Sequence, residues 1–165
     1  MGPVSATTTI DAPRERIAAV VADLAKRPAL YGDAIDDFNL GRLKSTGVGA
    51  AARFGLAGGK GWYETRISEV NGSHSLRETG RTGRSGKVPT TMLWEFIEGP
   101  AGLETGVRVT FMTEPASAFH EMGAGAAARR WKRLLRHALE RLRTIVEEDE
   151  SITVAGVAGG QRIPG

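Results

Sequence analysis

The chain has 165 residues, a length that fits one domain. Its 41% hydrophobic and 25% charged residues give an ordinary globular balance with enough apolar material for a core. The absence of cysteine excludes disulfide-stapled scaffolds, thiolate metal sites and thiol nucleophiles, and the net charge of +3 gives no strong overall bias.

The first residues lack a basic leader followed by an apolar stretch, and Met1-Gly2-Pro3 is a poor myristoylation match. No apolar run approaches the ~20 residues of a membrane span. The expectation is a cytoplasmic protein with no membrane span.

Val4 to Ile10 alternates with period two, which predicts a half-buried strand. Asp11-Ala12-Pro13 ends it and starts a helix with Ile17, Val20, Val21 and Leu24 on one stripe. Arg27-Pro28 should stop that helix, because the residue before proline avoids the α region. A second short helix or turn is expected from Ala29 to Asp33.

Six strands separated by turn residues follow: Asp36–Leu43, Gly49–Leu56, Trp62–Val70, Ser75–Thr82, Thr90–Ile97 and Thr105–Thr113. Asn71-Gly72 is the strongest hairpin signal. Gly58-Gly59-Lys60-Gly61 and Gly99-Pro100-Ala101-Gly102 mark further turns, so an antiparallel meander is predicted. Helical periodicity then returns with Trp131, Leu134, Leu135, Ala138, Leu142 and Ile145, an amphipathic helix of about twenty residues. Gly123 and Gly125 predict that 116–125 is loose or kinked. The fold class is α+β, with one domain over 1–149 and a poorly structured tail over 150–165.

Thr9-Ile10-Asp11-Ala12-Pro13 leading to Ile17, the Asp23, Arg27-Pro28 and Tyr31 stretch, and Gly106-Val107-Arg108-Val109-Thr110 before a long helix occur in an ordered set. This set resembles the START/SRPBCC superfamily in its polyketide cyclase/dehydrase branch, over roughly Val4 to Glu148. Arg27 stands where that family usually has a tryptophan before the proline. The resemblance implies a helix-grip fold: a seven-stranded curved antiparallel sheet around the C-terminal helix, with two short helices after the first strand and a ligand cavity between sheet and helix.

Strand alternation assigns the inward face. Met92, Trp94 and Phe96 oppose Glu95; Val107, Val109 and Phe111 oppose Arg108 and Thr110; Tyr63, Thr65 and Ile67 oppose Glu64 and Arg66. Leu76 shares its face with Glu78. With Tyr31 at the expected cavity mouth and Trp131 and Leu135 on the helix, these are the candidate ligand-binding residues. The competing reading of the aromatic set is plain core packing.

Glu78 and Tyr63 are the candidates for catalysis, as a buried acid–base carboxylate and an orienting hydroxyl. For Glu78 the plainer reading is preferred, an exposed residue or a satisfied ion pair. The basic run Arg129, Arg130, Lys132, Arg133, Arg136, Arg141 and Arg143 reads first as a solvated helix face.

Several near-matches fail. Gly47-Val48-Gly49 lacks the following helix of a dinucleotide fold; Gly59-Lys60 lacks the phosphate-loop frame; His120-Glu121 has Ala124 where a zinc site needs histidine. Asn71-Gly72-Ser73 spells a glycosylation sequon, but nothing suggests secretion. No cofactor or metal is expected.

The function expected is binding of a small hydrophobic or aromatic molecule in the cavity. The alternatives are an aromatase/cyclase-type enzyme using the same cavity, or an interaction module using the basic helix face. No specific nucleic-acid binding is expected, since the sheet offers no exposed aromatic ladder for bases. The oligomeric state is left open.

Overall fold

In the first strand, β1 (Val4–Ile10), Val4, Ala6 and Ile10 are buried and the residues between them face out, as period two requires. The computed structural model describes residues 1–58, 61–83, 86–114 and 124–159, with side chains up to 149. Pro13 caps α1 (Arg14–Ala22), which buries Ile17, Ala18, Val20 and Val21.

The helix ends earlier than the proline predicted. Asp23 takes an extended conformation, and its side chain accepts from the Ala25 amide to start a 3-10 turn, Leu24–Lys26. Pro28 therefore lies inside the first turn of a new helix, α2 (Arg27–Tyr31), where its missing N–H has no partner to lose. A 3-10 turn, Gly32–Ala34, leads into the sheet.

The remaining strands are β2 (Ile35–Leu40), β3 (Ala51–Leu56), β4 (Trp62–Asn71), β5 (Ser75–Thr82), β6 (Val88–Glu98) and β7 (Thr105–Thr113). They pair antiparallel in the order β1-β7-β6-β5-β4-β3-β2, a meander whose far edge is closed by the first strand. β2 ends at Leu40 rather than at the expected Leu43, and β3 starts at Ala51 rather than Gly49. Asp37 adopts φ +48 inside a register shift of β2, an interruption that residue pattern alone does not display.

A second shift lies between Ile67 and Glu69 in β4, so alternation holds up to Ile67 and then lapses. The Asn71-Gly72 signal is realised as a tight hairpin, with Gly72 at φ +52 and the His74 amide donating to Asn71 O at 2.9 Å. Arg14 ties this hairpin to α1 through Ser73 (3.1 Å) and His74 (3.0 Å). At Gly80 a Cβ would sit 1.8 Å from the Glu64 carbonyl oxygen, so only glycine lets β4 and β5 approach there.

The C-terminal helix, α3 (Ala124–Gly159), packs on β1 and α2 and touches α1 and β7. It buries Trp131, Leu134, Leu135, Ala138, Leu139, Leu142 and Val146, with Ile145 partly buried. The helix is longer than expected and continues through the first ten residues, 150–159, of the segment read as a poorly structured tail. The segment expected to be loose, 116–125, lies outside the described residues apart from its last two, which open α3. No helix among the described residues is long and apolar enough to cross a membrane.

Leu135 is fully buried between the helix and the sheet, whereas Arg136 beside it is exposed. Leu135→Ala is expected to lose about 2–5 kcal/mol of unfolding free energy through lost burial and a residual cavity. Arg136→Ala is expected to change it by less than about 0.5 kcal/mol. Urea denaturation followed by circular dichroism measures both.

Candidate functional site

The concave face of the sheet carries the residues that alternation assigned to it. Tyr63, Thr65 and Ile67 of β4, Leu76 and Glu78 of β5, Met92, Trp94 and Phe96 of β6, and Val107, Val109 and Phe111 of β7 are all buried. Trp131 and Leu135 cover them from α3. Phe111 and Trp131 stack at 3.8 Å, and Tyr63 meets both at 5.9 and 5.5 Å. Phe54 extends the cluster from Tyr63 (5.1 Å) to Tyr31 (5.5 Å).

Tyr31 does not stand at a mouth. It is 1% exposed, accepts a hydrogen bond from Arg27 at 3.3 Å and donates to Met92 Sδ at 3.8 Å. It is the last residue of α2, whose inward face buries Arg27, Leu30 and Tyr31 together.

Glu78 is fully buried and paired. Arg27, itself 1% exposed, donates to Glu78 Oε1 at 2.5 Å; the Trp94 indole donates to the same oxygen at 3.1 Å. Thr65 donates to Oε2 at 2.8 Å. Arg27 also donates to the Val21 carbonyl at 2.8 Å, and its guanidinium lies 5.3 Å from the Trp94 ring centroid.

Burial is the largest single influence on the Arg27 pKa and lowers it, but the Glu78 charge, Tyr31 and the hydrogen bonds to both together outweigh it and raise the pKa. A carboxylate held by three donors, one of them a buried guanidinium, is engaged in a structural ion pair. The satisfied-ion-pair reading of Glu78 is the observed one.

Arg27 was legible only as a departure from the family's usual tryptophan. Its signal was the lone carboxylate on an otherwise apolar strand face, which demands a cation somewhere in the interior. Among the described residues, Arg27 Nε, the Tyr63 hydroxyl and Thr90 Oγ1 are buried without a hydrogen-bond partner. The Tyr63 hydroxyl lies near Thr65 and Thr90 without forming a well-aligned bond to either.

An open space lies beside this packed interior. A cleft of about 460 Å3 is lined by Asp33, Ala34, Leu56, Ala57, Arg130, Trp131, Arg133, Leu134 and His137. It is bounded by α3, the Gly32–Ala34 turn and the end of β3. Of the ligand-contact residues expected from sequence, only Trp131 lines it. The others belong to the buried cluster around the aromatic set and do not line this cleft. Among the described residues, no group of three or more His, Asp or Glu is placed to hold a metal ion.

Removing one partner of the buried pair leaves the other charge unpaired. Arg27→Met or Glu78→Leu alone is expected to cost about 3–5 kcal/mol, and the double variant to recover most of that loss. A urea-unfolding double-mutant cycle measures the coupling. Two losses that simply add would show that the pair is not coupled.

A pH effect follows from the tyrosines. Burial is the first cause holding both Tyr31 and Tyr63 above the ordinary value of 10.0; Glu78 adds to it in both, partly offset by Arg27 at Tyr31. The unfolded chain releases these protons from about pH 10, while the folded chain keeps them. Their contribution is fully present below pH 10 and lost as pH rises above it. Tyr63→Phe should flatten the alkaline fall in stability while changing little at pH 7, where the hydroxyl has no partner to lose. Stability curves from pH 8 to 12 test this, and an unchanged slope would contradict it.

The family described as polyketide cyclase/dehydrase and lipid transport matches residues 1–147. No curated protein matches the sequence. Among solved structures, a protein from Thermus thermophilus is 19% identical with a TM-score of 0.70, covering 90% of this chain and 99% of that one. A START superfamily protein from Mycobacterium smegmatis is 15% identical, with a TM-score of 0.63 and coverage of 88% and 97%. Norcoclaurine synthase from Thalictrum flavum, in complex with dopamine and hydroxybenzaldehyde, is 12% identical, with a TM-score of 0.63 and coverage of 89% and 87%. The match over residues 1–147 shows the family: the chain belongs to the polyketide cyclase/dehydrase and lipid transport family, and the solved structures share its helix-grip fold.

Proposed function

We propose that the chain binds a small hydrophobic or aromatic molecule at the junction of the sheet and α3, entering by the cleft. The observation that carries this reading is the position of Trp131. It is a wall of the cleft and also a member of the Tyr63–Phe111 aromatic cluster, so a guest in the cleft meets the interior through one side chain. The lining joins apolar walls with a few polar groups, the usual make-up of a small-molecule site.

Deeper in, the unpartnered Tyr63 hydroxyl and Thr90 Oγ1 are buried polar groups that a ligand oxygen could satisfy once Trp131 moves off Phe111. A helix-grip relative holding dopamine and hydroxybenzaldehyde is consistent with small aromatic guests in this architecture.

Binding is favoured over aromatase/cyclase chemistry because the acid–base candidate is engaged. Glu78 accepts three hydrogen bonds, one from a buried arginine, and it does not line the cleft. The aromatic set offers stacking and burial, and among the inward residues no free acid or base accompanies it.

The test uses N-phenyl-naphthylamine, a neutral aromatic dye whose emission rises on leaving water. Saturable binding with Kd on the order of micromolar is expected. Trp131→Leu, checked for native circular dichroism, should change that Kd by about fivefold or more, since an aromatic wall is removed. Absence of saturable binding, or binding indifferent to Trp131, would reject the reading.

A further inference from the structure

We propose that the cleft selects molecules bearing an anionic group at one end of an apolar body; this rests on reading the cleft as the binding site. Its apolar walls are Leu56, Trp131 and Leu134, together with two alanines. Its cationic side comes from Arg130 and Arg133, on a ridge of α3 that His137 continues. Arg130, Arg133 and His137 follow one another at spacings of three and four residues, which places them on one helical face.

The arginines elsewhere are largely engaged. Arg27 holds Glu78, Arg108 holds Glu95, Arg143 holds Glu147, and Arg141 donates to the Ala29 carbonyl. Arg130 and Arg133 have neither an ion-pair nor a hydrogen-bond partner among the described residues. Two unpaired guanidinium groups thus border an apolar recess, with Asp33 as the lone carboxylate in the lining.

Guanidinium is the side chain best suited to a planar or tetrahedral anion, because its paired N–H groups match carboxylate, sulfonate and phosphate oxygens. The low-polarity walls of the cleft strengthen that attraction relative to open water. The field does not stop at the cleft. A neighbouring groove of about 490 Å3 shares Arg133 and His137 and adds Arg129, Lys132 and Arg136 against Glu140. An anion approaching α3 is therefore drawn to this face, and the cleft is where it also finds apolar surface for its body.

The experiment compares two dyes with one aromatic body, neutral N-phenyl-naphthylamine and its anionic counterpart anilinonaphthalene sulfonate. The sulfonate should bind about tenfold tighter at low salt, an advantage that shrinks as ionic strength rises. Arg130→Gln with Arg133→Gln, checked for native circular dichroism, should abolish that advantage, bringing the sulfonate's Kd to within about twofold of the neutral dye's in the same variant. Arg129→Gln with Lys132→Gln, outside the cleft, should retain it.

Equal affinities of the two dyes would overturn the proposal while leaving the binding reading intact, whereas failure of both dyes to bind would remove both. A loss as large in the Arg129 and Lys132 variant would assign the effect to diffuse surface charge, and the proposal would fall. So would retention on phosphatidylserine vesicles that depends on Arg130 and Arg133 while the two dyes bind alike, since the arginines would then be a membrane contact.

Discussion

The buried pair of Arg27 and Glu78 is the interaction on which the interior is organised. A carboxylate on the concave face of an apolar sheet is costly to bury alone, and the cost is met only if a cation is brought to it with good geometry. Arg27 comes from α2, fifty-one residues away in sequence. Its guanidinium reaches three elements besides its own: the Val21 carbonyl at the end of α1, Glu78 on β5 and the Trp94 ring on β6. Each contact constrains where α2 can sit, and α2 in turn is one of the surfaces against which α3 packs. An interaction that adds little net stability can still fix the relative position of helices and sheet.

That arrangement divides the space between sheet and helices. The side holding Arg27, Glu78, Tyr31 and Trp94 is buried, and its side-chain polar atoms are hydrogen-bonded apart from Arg27 Nε. The side beyond Trp131 opens into the cleft, where the lining comes from α3, the Gly32–Ala34 turn and the end of β3. Rigid and open regions therefore meet at the Phe111–Trp131 stack. Dispersion and area burial hold that stack, without a hydrogen bond to break, so displacing it costs less than displacing the ion pair behind it.

Much of the fold was legible because most of the sheet has one buried face. Along β6, Val88, Thr90, Met92, Trp94 and Phe96 are buried while Leu93 and Glu95 are not, and the sequence alternates in the same way. The pattern was unreliable where backbone geometry broke the period, at Asp37 in β2 and after Ile67 in β4. Helix ends were read from proline, yet the break fell at Asp23, whose side chain captures the Ala25 amide and diverts the chain before Pro28 is reached. Arg27 was invisible as a core residue because charge argues for the surface, and only the partner on a distant strand reverses that argument.

The residues of the cleft escaped prediction for a different reason. Amphipathic periodicity sorts a helix into a buried stripe and an exposed face, and Arg130, Arg133 and His137 fall on the exposed face beside the stripe. They flank Trp131 and Leu134 at the border of the stripe, and all three are exposed. A position of that kind reads as solvated in a one-dimensional pattern. It becomes part of a site only because the Gly32–Ala34 turn and the end of β3 rise opposite it and enclose the space. The concavity is a property of three segments meeting, none of which carries a motif for it. The inward-facing aromatics, by contrast, belong to strands whose pairing is dictated by consecutive hairpins. In this chain the core was written in local periodicity, while the cleft depends on the long-range placement of α2 and α3 that the Arg27–Glu78 pair helps to determine.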